Sequence, residues 1–306
     1  MVTVAVDGLV LTRCAPSADT IEGRDSGFNM PNRFPARRHV AYGLVCGFAL
    51  LIAICPAWAD DSYGAPPPDI RTHLDRLVHA YPDWIASADN EYVMLKNGAR
   101  FAISDHRTNK SFDDLIEHPD IDDMFYVPYP AGSTPKQPAR NFDTGRVRFE
   151  PLFAAMYGDC RRSEVTPKLK TIEWLSAHNG GRVSITTVNG VDKALAAVSR
   201  ELDQLPSDFM KFLIPTSGTY NCRAVAGSSV RSMHAYGAAI DLNVKYADYW
   251  RWSADPHAPT WKNRIPIEIV RTFERHGFIW GGYWYHFDTM HFEYRPELLP
   301  DEPAPR

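Results

Sequence analysis

Residues 232–243 read SMHAYGAAIDLN, and residues 284–293 read WYHFDTMHFE. In the first stretch Ala239 to Asn243 alternates. That predicts a strand with Ile240 and Leu242 on one face and Asp241 and Asn243 on the other. A carboxylate in so apolar a strand is costly to bury unless it is paired or bound to a metal. Gly237, Ala238 and Ala239 are small and let another backbone or a ligand come close. His234 lies seven residues before Asp241, a spacing that a loop-to-strand turn can fold into one site. In the second stretch Met290 to Tyr294 is also predicted to alternate, so His291 and Glu293 share a side. Asp288 precedes His291 by three residues. Two histidines and an aspartate suit zinc and leave its fourth position to water; His234, Asp241 and His291 are the three candidates. Asp288 is then placed to take that water's proton.

Outward from these stretches the pattern is mixed. The spacing of Leu74, Leu77, Val78 and Tyr81 predicts a helix over 70–81. Two apolar runs, 92–95 and 100–103, flank Asn97-Gly98 and predict a hairpin. RVSITTV at 182–188 predicts a strand by its β-branched content. The apolar stripe from Val191 to Leu205 predicts a helix stopped by Pro206. A last helix is predicted from Pro266 to His276 with Gly277 as its cap, then strands at 278–280 and 290–294. These alternations make an α+β chain with mostly antiparallel pairing. Residues 127–146, rich in Pro, Gly and polar side chains, are expected to be a long surface connection.

The N-terminus reads as an address. Arg33, Arg37 and Arg38 precede an apolar run from Val40 to Cys55, and Pro56 and Ala57-Trp58-Ala59 follow it. The run is shorter than the roughly 20 residues of a spanning helix. Residues 1–59 are therefore expected to be a signal peptide region cut after Ala59, with a single anchor helix as the alternative. Residues 1–29 carry acidic side chains unusual ahead of such a run, and Met30 would open a clean basic segment, so translation is expected to start at Met30. The working protein is then periplasmic or secreted, with no stable membrane span after cleavage. Only Cys160 and Cys222 lie beyond that leader. Two cysteines in an oxidising compartment suggest one disulfide; two separate buried thiols are the alternative. Over the 306 residues, 33 basic against 37 acidic side chains give −4, which offers nothing to nucleic acid. A hydrophobic content of 44% and a charged content of 23% exclude a disordered or multi-span chain.

The pattern S-x-H-x-x-G-x-A-x-D followed by D-x-x-H-F-E resembles the D-alanyl-D-alanine carboxypeptidase family of zinc metallopeptidases. That family includes vancomycin-resistance D,D-carboxypeptidases and dipeptidases and the L-alanyl-D-glutamate endopeptidases of phage endolysins. Its wider fold group takes in lysostaphin-type peptidases and the hedgehog signalling domain. The resemblance covers about residues 216–299. It implies a hedgehog-like fold with a central, mostly antiparallel sheet flanked by helices. It implies zinc on His234, Asp241 and His291, with Asp288 as the base. Asp288 and Met290 stand where many carboxypeptidases carry Glu and Trp, so the sequence is more similar there to the endopeptidase branch. The family also carries an arginine before the first histidine, for substrate carboxylate or oxyanion. Arg223 is preferred over Arg231, because Cys222 is able to anchor its loop. Ser232 matches the serine of the first motif, a hydrogen bond toward substrate or toward a ligand. Glu293 is expected to orient a metal-binding histidine. His286 is open between a proton donor or oxyanion partner and a structural role.

The domain reading is a region 60–150 without a motif, a catalytic domain over 151–299 and a disordered tail over 300–306. The implied activity is hydrolysis of peptidoglycan stem peptides, most simply of the D-alanyl-D-alanine carboxypeptidase type. An L-alanyl-D-glutamate endopeptidase and a non-catalytic zinc-bearing cell-wall binding module are the alternatives.

Overall fold

A computed structural model describes residue 67 and residues 69–300. The signal peptide region, the Met30 start and the end of the chain beyond 300 lie outside the described residues. No helix among the described residues is long and apolar enough to cross a membrane.

The chain begins with helix α1 (Ile70–Ala80), which buries Leu74 and Leu77, and Tyr81 just beyond its end is fully buried too. A three-stranded antiparallel sheet follows: β1 (Ile85–Ala88), β2 (Tyr92–Leu95) and β3 (Arg100–Ala102), in that order. The β2–β3 turn uses Gly98 at φ 85°, and Asn97 Oδ1 accepts the Ala99 N–H, as Asn-Gly predicts. Helices α2 (Phe112–Glu117) and α3 (Glu150–Tyr157) come next. Strands β4 (Leu169–Glu173) and β5 (Arg182–Thr186) form a separate antiparallel pair. Asn189 and Gly190 then turn through the left-handed region into α4 (Val191–Leu202), followed by the short α5 (Met210–Leu213). The last layer is α6 (Ile267–Arg275) and a sheet of β6 (Ala239–Asp241), β7 (Phe278–Trp280) and β8 (His291–Tyr294), with β8 in the centre.

The architecture is α+β and every strand pair is antiparallel. In place of one central sheet there are three small ones among the described residues. Strand β6 stops at Asp241. Asn243 therefore leaves the face predicted for it; its amide donates to Lys211 O and Ile214 O at 2.9 and 2.7 Å. Helix α4 ends at Leu202, three residues earlier than its apolar stripe suggested.

Core packing explains how the last sheet is held. Phe292 of β8 is fully buried and stacks on Phe273 of α6 with centroids 3.9 Å apart. Residues from α1, β2, α4, α6 and β8 share one apolar cluster, so residues before 150 belong to the same core as those after it.

The expectation for residues 127–146 holds for most of the stretch, which has no helix or strand and is largely exposed or half-buried, but not for its end. Asp143 and Thr144 are buried, at 1% and 0% exposure. Trp284 Nε1 donates to Thr144 O at 2.6 Å, and Tyr285 N donates to Phe142 O at 2.8 Å. Each buried polar group is met by a partner, which is the condition for a polar segment to lie inside. Cys160 and Cys222 form a disulfide with Cα atoms 5.7 Å apart. It closes a separation of 62 residues. Replacing both cysteines with serine is expected to lower stability by about 2–5 kcal/mol in denaturant titration.

Candidate metal centre

His234 sits on a single turn, Met233–Tyr236, whose start is capped by Ser232: its Oγ accepts the His234 N–H at 3.3 Å. The turn ends at Gly237 with φ 66°. A Cβ there would stand 2.6 Å from Leu169 Cδ2, and the bare backbone lets Gly237 O accept the Thr186 N–H at 2.9 Å. The chain then enters β6. The β6–β8 register pairs Asp241 directly with His291, so two of the three donors are cross-strand neighbours.

The three side chains meet. His234 Nε2 is 3.1 Å from Asp241 Oδ2 and 3.2 Å from His291 Nδ1, and His291 Nδ1 is 2.9 Å from Asp241 Oδ1. The remaining ring nitrogens are held from behind. His234 Nδ1 donates to Thr219 O, and His291 Nε2 donates to Glu293 Oε2 at 3.0 Å. Each imidazole thus has its outer nitrogen held by an acceptor, which leaves the inner nitrogen to offer a lone pair at the shared point when a cation takes the place of its proton.

Electrostatics make the same demand. Burial pushes the Asp241 carboxyl up, but His234 and His291 outweigh it and hold it well below the usual carboxylate range. Burial pushes His291 down, but its hydrogen bonds to Asp241 and Glu293 raise it to about 10. With protein atoms alone, this point draws in a positive charge. Two imidazoles and a carboxylate around one such point can hold a divalent cation, and the donor types fit zinc.

Behind His291 runs a buried charge network. Glu293 lies 3.4 Å from both Arg148 Nη1 and Arg295 Nη1. Arg295 Nε donates to Glu297 at 2.5 Å, and Tyr81 OH donates to the other Glu297 oxygen at 2.6 Å. Burial raises the Glu293 carboxyl, but Arg148, His291 and Arg295 prevail and bring it to about 2. Glu293→Gln is expected to weaken metal binding about 10- to 100-fold, read by competition with a chromogenic chelator.

The carboxyl of Asp288 lies beside the trio. The Asp288 carbonyl accepts the His291 N–H at 3.1 Å, the tight turn that the D-x-x-H spacing allows, and Asp288 N–H donates to Gly281 O at 3.0 Å. Its Oδ1 is buried with no hydrogen-bond partner among the described residues. Burial, then the charge of Asp241, raises this carboxyl to about 6. A poised carboxyl with a free oxygen is able to take a proton near neutral pH.

All of this opens on a cavity of about 480 Å³ lined by Arg223, Ser232, Asp241, Asp288, His291 and Glu293. Arg223 is exposed there, next to the disulfide, and Ser232 N–H donates to its carbonyl at 3.1 Å. Arg231 is committed elsewhere, to Glu150 and to Asp159 at 2.9 Å. Arg146, Arg148, Trp284 and His286 also line the cavity. The two arginines were missed because they sit in the stretch DTGRVR (143–148), which lacks any apolar period. A second acidic group, Asp120, Asp122 and Asp123, already encloses a cation: Lys110 Nζ is 2.5 Å from Asp123 and 3.1 Å from Asp120.

The three donors could hold a metal ion, and a carboxyl with a free oxygen lies beside them. Residues 226–294 match the family model described as D-alanyl-D-alanine carboxypeptidase, which places this segment in that family of peptidases. The match contains His234, Asp241, Asp288 and His291; Arg223 and residues 143–148 lie outside it. Neither the curated proteins nor the solved structures compared with the chain gave a match.

Proposed function

We propose that the chain is a zinc peptidase, periplasmic or secreted, that hydrolyses peptide bonds in peptidoglycan stem peptides as a D-alanyl-D-alanine carboxypeptidase. The observation that carries this reading is the meeting of His234, Asp241 and His291 within 3.2 Å, beside a cavity whose wall holds Asp241, His291 and Asp288. The family match over the same residues supports it, and the basic, apolar and A-x-A order of residues 33–59 supports export. The disulfide suits an oxidising compartment. A hedgehog-like peptidase fold belongs to the same proposal, supported by the antiparallel sheet that carries Asp241 and His291.

His234, Asp241 and His291 would hold the zinc, which when bound supplies Lewis acidity to a scissile carbonyl and to water. The protein does the rest. Asp288 accepts the proton of the attacking water at its free Oδ1. Arg223 offers a guanidinium to substrate carboxylate or to the negative charge that develops on the carbonyl oxygen. Glu293 and Thr219 O keep the two imidazoles turned toward the centre.

Digestion of purified muropeptides with product masses read by mass spectrometry tests this. Loss of one terminal alanine is expected. Loss of everything beyond L-Ala would move the assignment to an L-alanyl-D-glutamate endopeptidase. A metal-loaded protein inert on every muropeptide would make it a zinc-bearing binding module.

A further inference from the structure

His286 and Asp143 form a dyad that no motif contains. His286 Nδ1 is 2.5 Å from Asp143 Oδ2, and His286 N–H donates to Asp143 Oδ1 at 2.9 Å. Both carboxylate oxygens therefore hold the same residue. The Asp143 side chain is 0% exposed, and Arg146 Nη1 stands 3.5 Å from it as countercharge. An ionised carboxylate only accepts, so Nδ1 carries the proton and the working nitrogen is Nε2. The ring is fixed further by Trp250, whose centroid is 4.8 Å away, and by Phe112 at 5.6 Å.

The place of the ring is informative. His286 lies on the wall of the cavity that holds the metal donors and Asp288. It also lies on the wall of a second cavity of about 720 Å³, and Arg146, Ala226 and Trp250 are the other residues common to both. The charged side chains on these walls are the cations Arg146, Arg148, Arg223 and Arg251 and the carboxyls of Asp113, Glu117, Asp241, Asp288 and Glu293.

We infer that His286 is a catalytic proton donor to the leaving amine and that Asp143 is its positioning residue. This rests on the peptidase reading above. Asp288 takes a proton from water as the water oxygen bonds to the scissile carbonyl carbon. In this step His286 acts as the doubly protonated ring: it keeps Nδ1–H on Asp143 and gives its Nε2 proton to the scissile nitrogen as the carbon–nitrogen bond breaks, becoming a neutral imidazole. The products are a carboxylic acid and an amine, and the protons gained by Asp288 and lost by His286 are exchanged with solvent.

The test compares, on the zinc-loaded protein, a stem-peptide amide with its ester analogue, in which oxygen replaces the scissile nitrogen. An ester leaves without needing a strong proton donor, whereas an amine does not. His286→Gln is expected to lower kcat on the amide by about 100- to 1000-fold with KM within about threefold, and to lower kcat on the ester by less than about tenfold. Asp143→Asn is expected to show the same amide-specific loss and Asp143→Glu to recover part of it. Equal losses on amide and ester, or no loss on either, would overturn the inference while leaving the peptidase reading intact. A wild-type protein inactive on both substrates would overturn the peptidase reading itself and the dyad's role with it. Should the Asp143 variants not fold, His286→Gln decides alone, because its ring is 18% exposed and caps no core.

Discussion

Asp288→Asn is expected to lower kcat by about 10²–10⁴ while metal content stays at the wild-type level. Asparagine keeps the shape of the side chain, and the backbone anchors of Asp288, its N–H to Gly281 and its carbonyl to His291 N–H, do not depend on the carboxylate. What is lost is a proton acceptor. In the wild type that acceptor is unusually available: Oδ1 is buried without a partner, and burial has already raised the carboxyl to about 6. Kinetics on a muropeptide and elemental analysis of the same sample check the expectation together. A metal-free Asp288→Asn protein would make Asp288 a ligand and leave the base unassigned.

His234→Ala is expected to lose both metal and activity. Its Nε2 stands 3.1 Å from Asp241 and 3.2 Å from His291, so removal leaves two donors of three. Two donors cannot fix a tetrahedral ion against water. The variant has a second readout. A metal that binds only the folded state adds about 3–4 kcal/mol at a free concentration 100 to 1000 times Kd. Chelation is therefore expected to lower the wild-type melting temperature by roughly 6–16 °C for a unit of this size. His234→Ala is expected to be insensitive to chelator. A chelator-sensitive His234→Ala would place the metal elsewhere.

Much of the centre was legible because its cues are local. An aspartate inside the run AAIDL and a histidine inside MHFEY are conspicuous where a strand needs apolar residues. The turn between Asp288 and His291 spans only three residues, and the pairing of Asp241 with His291 follows once both segments are strands. Helices α1 and α4 were visible through their apolar periods, and α6 through Pro266 and Gly277 at its ends. Strand β4 was not: in LKTIE only Ile172 is buried, so its neighbours carry no period-two signal. Residues 143–148 were invisible for another reason. Asp143 meets His286 across 143 positions and Arg148 meets Glu293 across 145, and no window along the chain spans such a distance. A polar stretch with distant partners looks the same on paper as one that faces water.

The charge network behind His291 has a bearing on portability. It runs from Glu293 to Arg148 and through Arg295 and Glu297 to Tyr81. The segment recognisable as a peptidase, 226–294, owns only part of that wiring. A chain begun at residue 151 would strip one of its two arginine counterions from Glu293, the carboxylate from His286 and the apolar cover of α1 from the shared core. Cutting or grafting at the boundary of the motifs would deliver the metal donors without the scaffold that aims them. The unit that has to move, in any fusion or transplanted version of this site, includes α1.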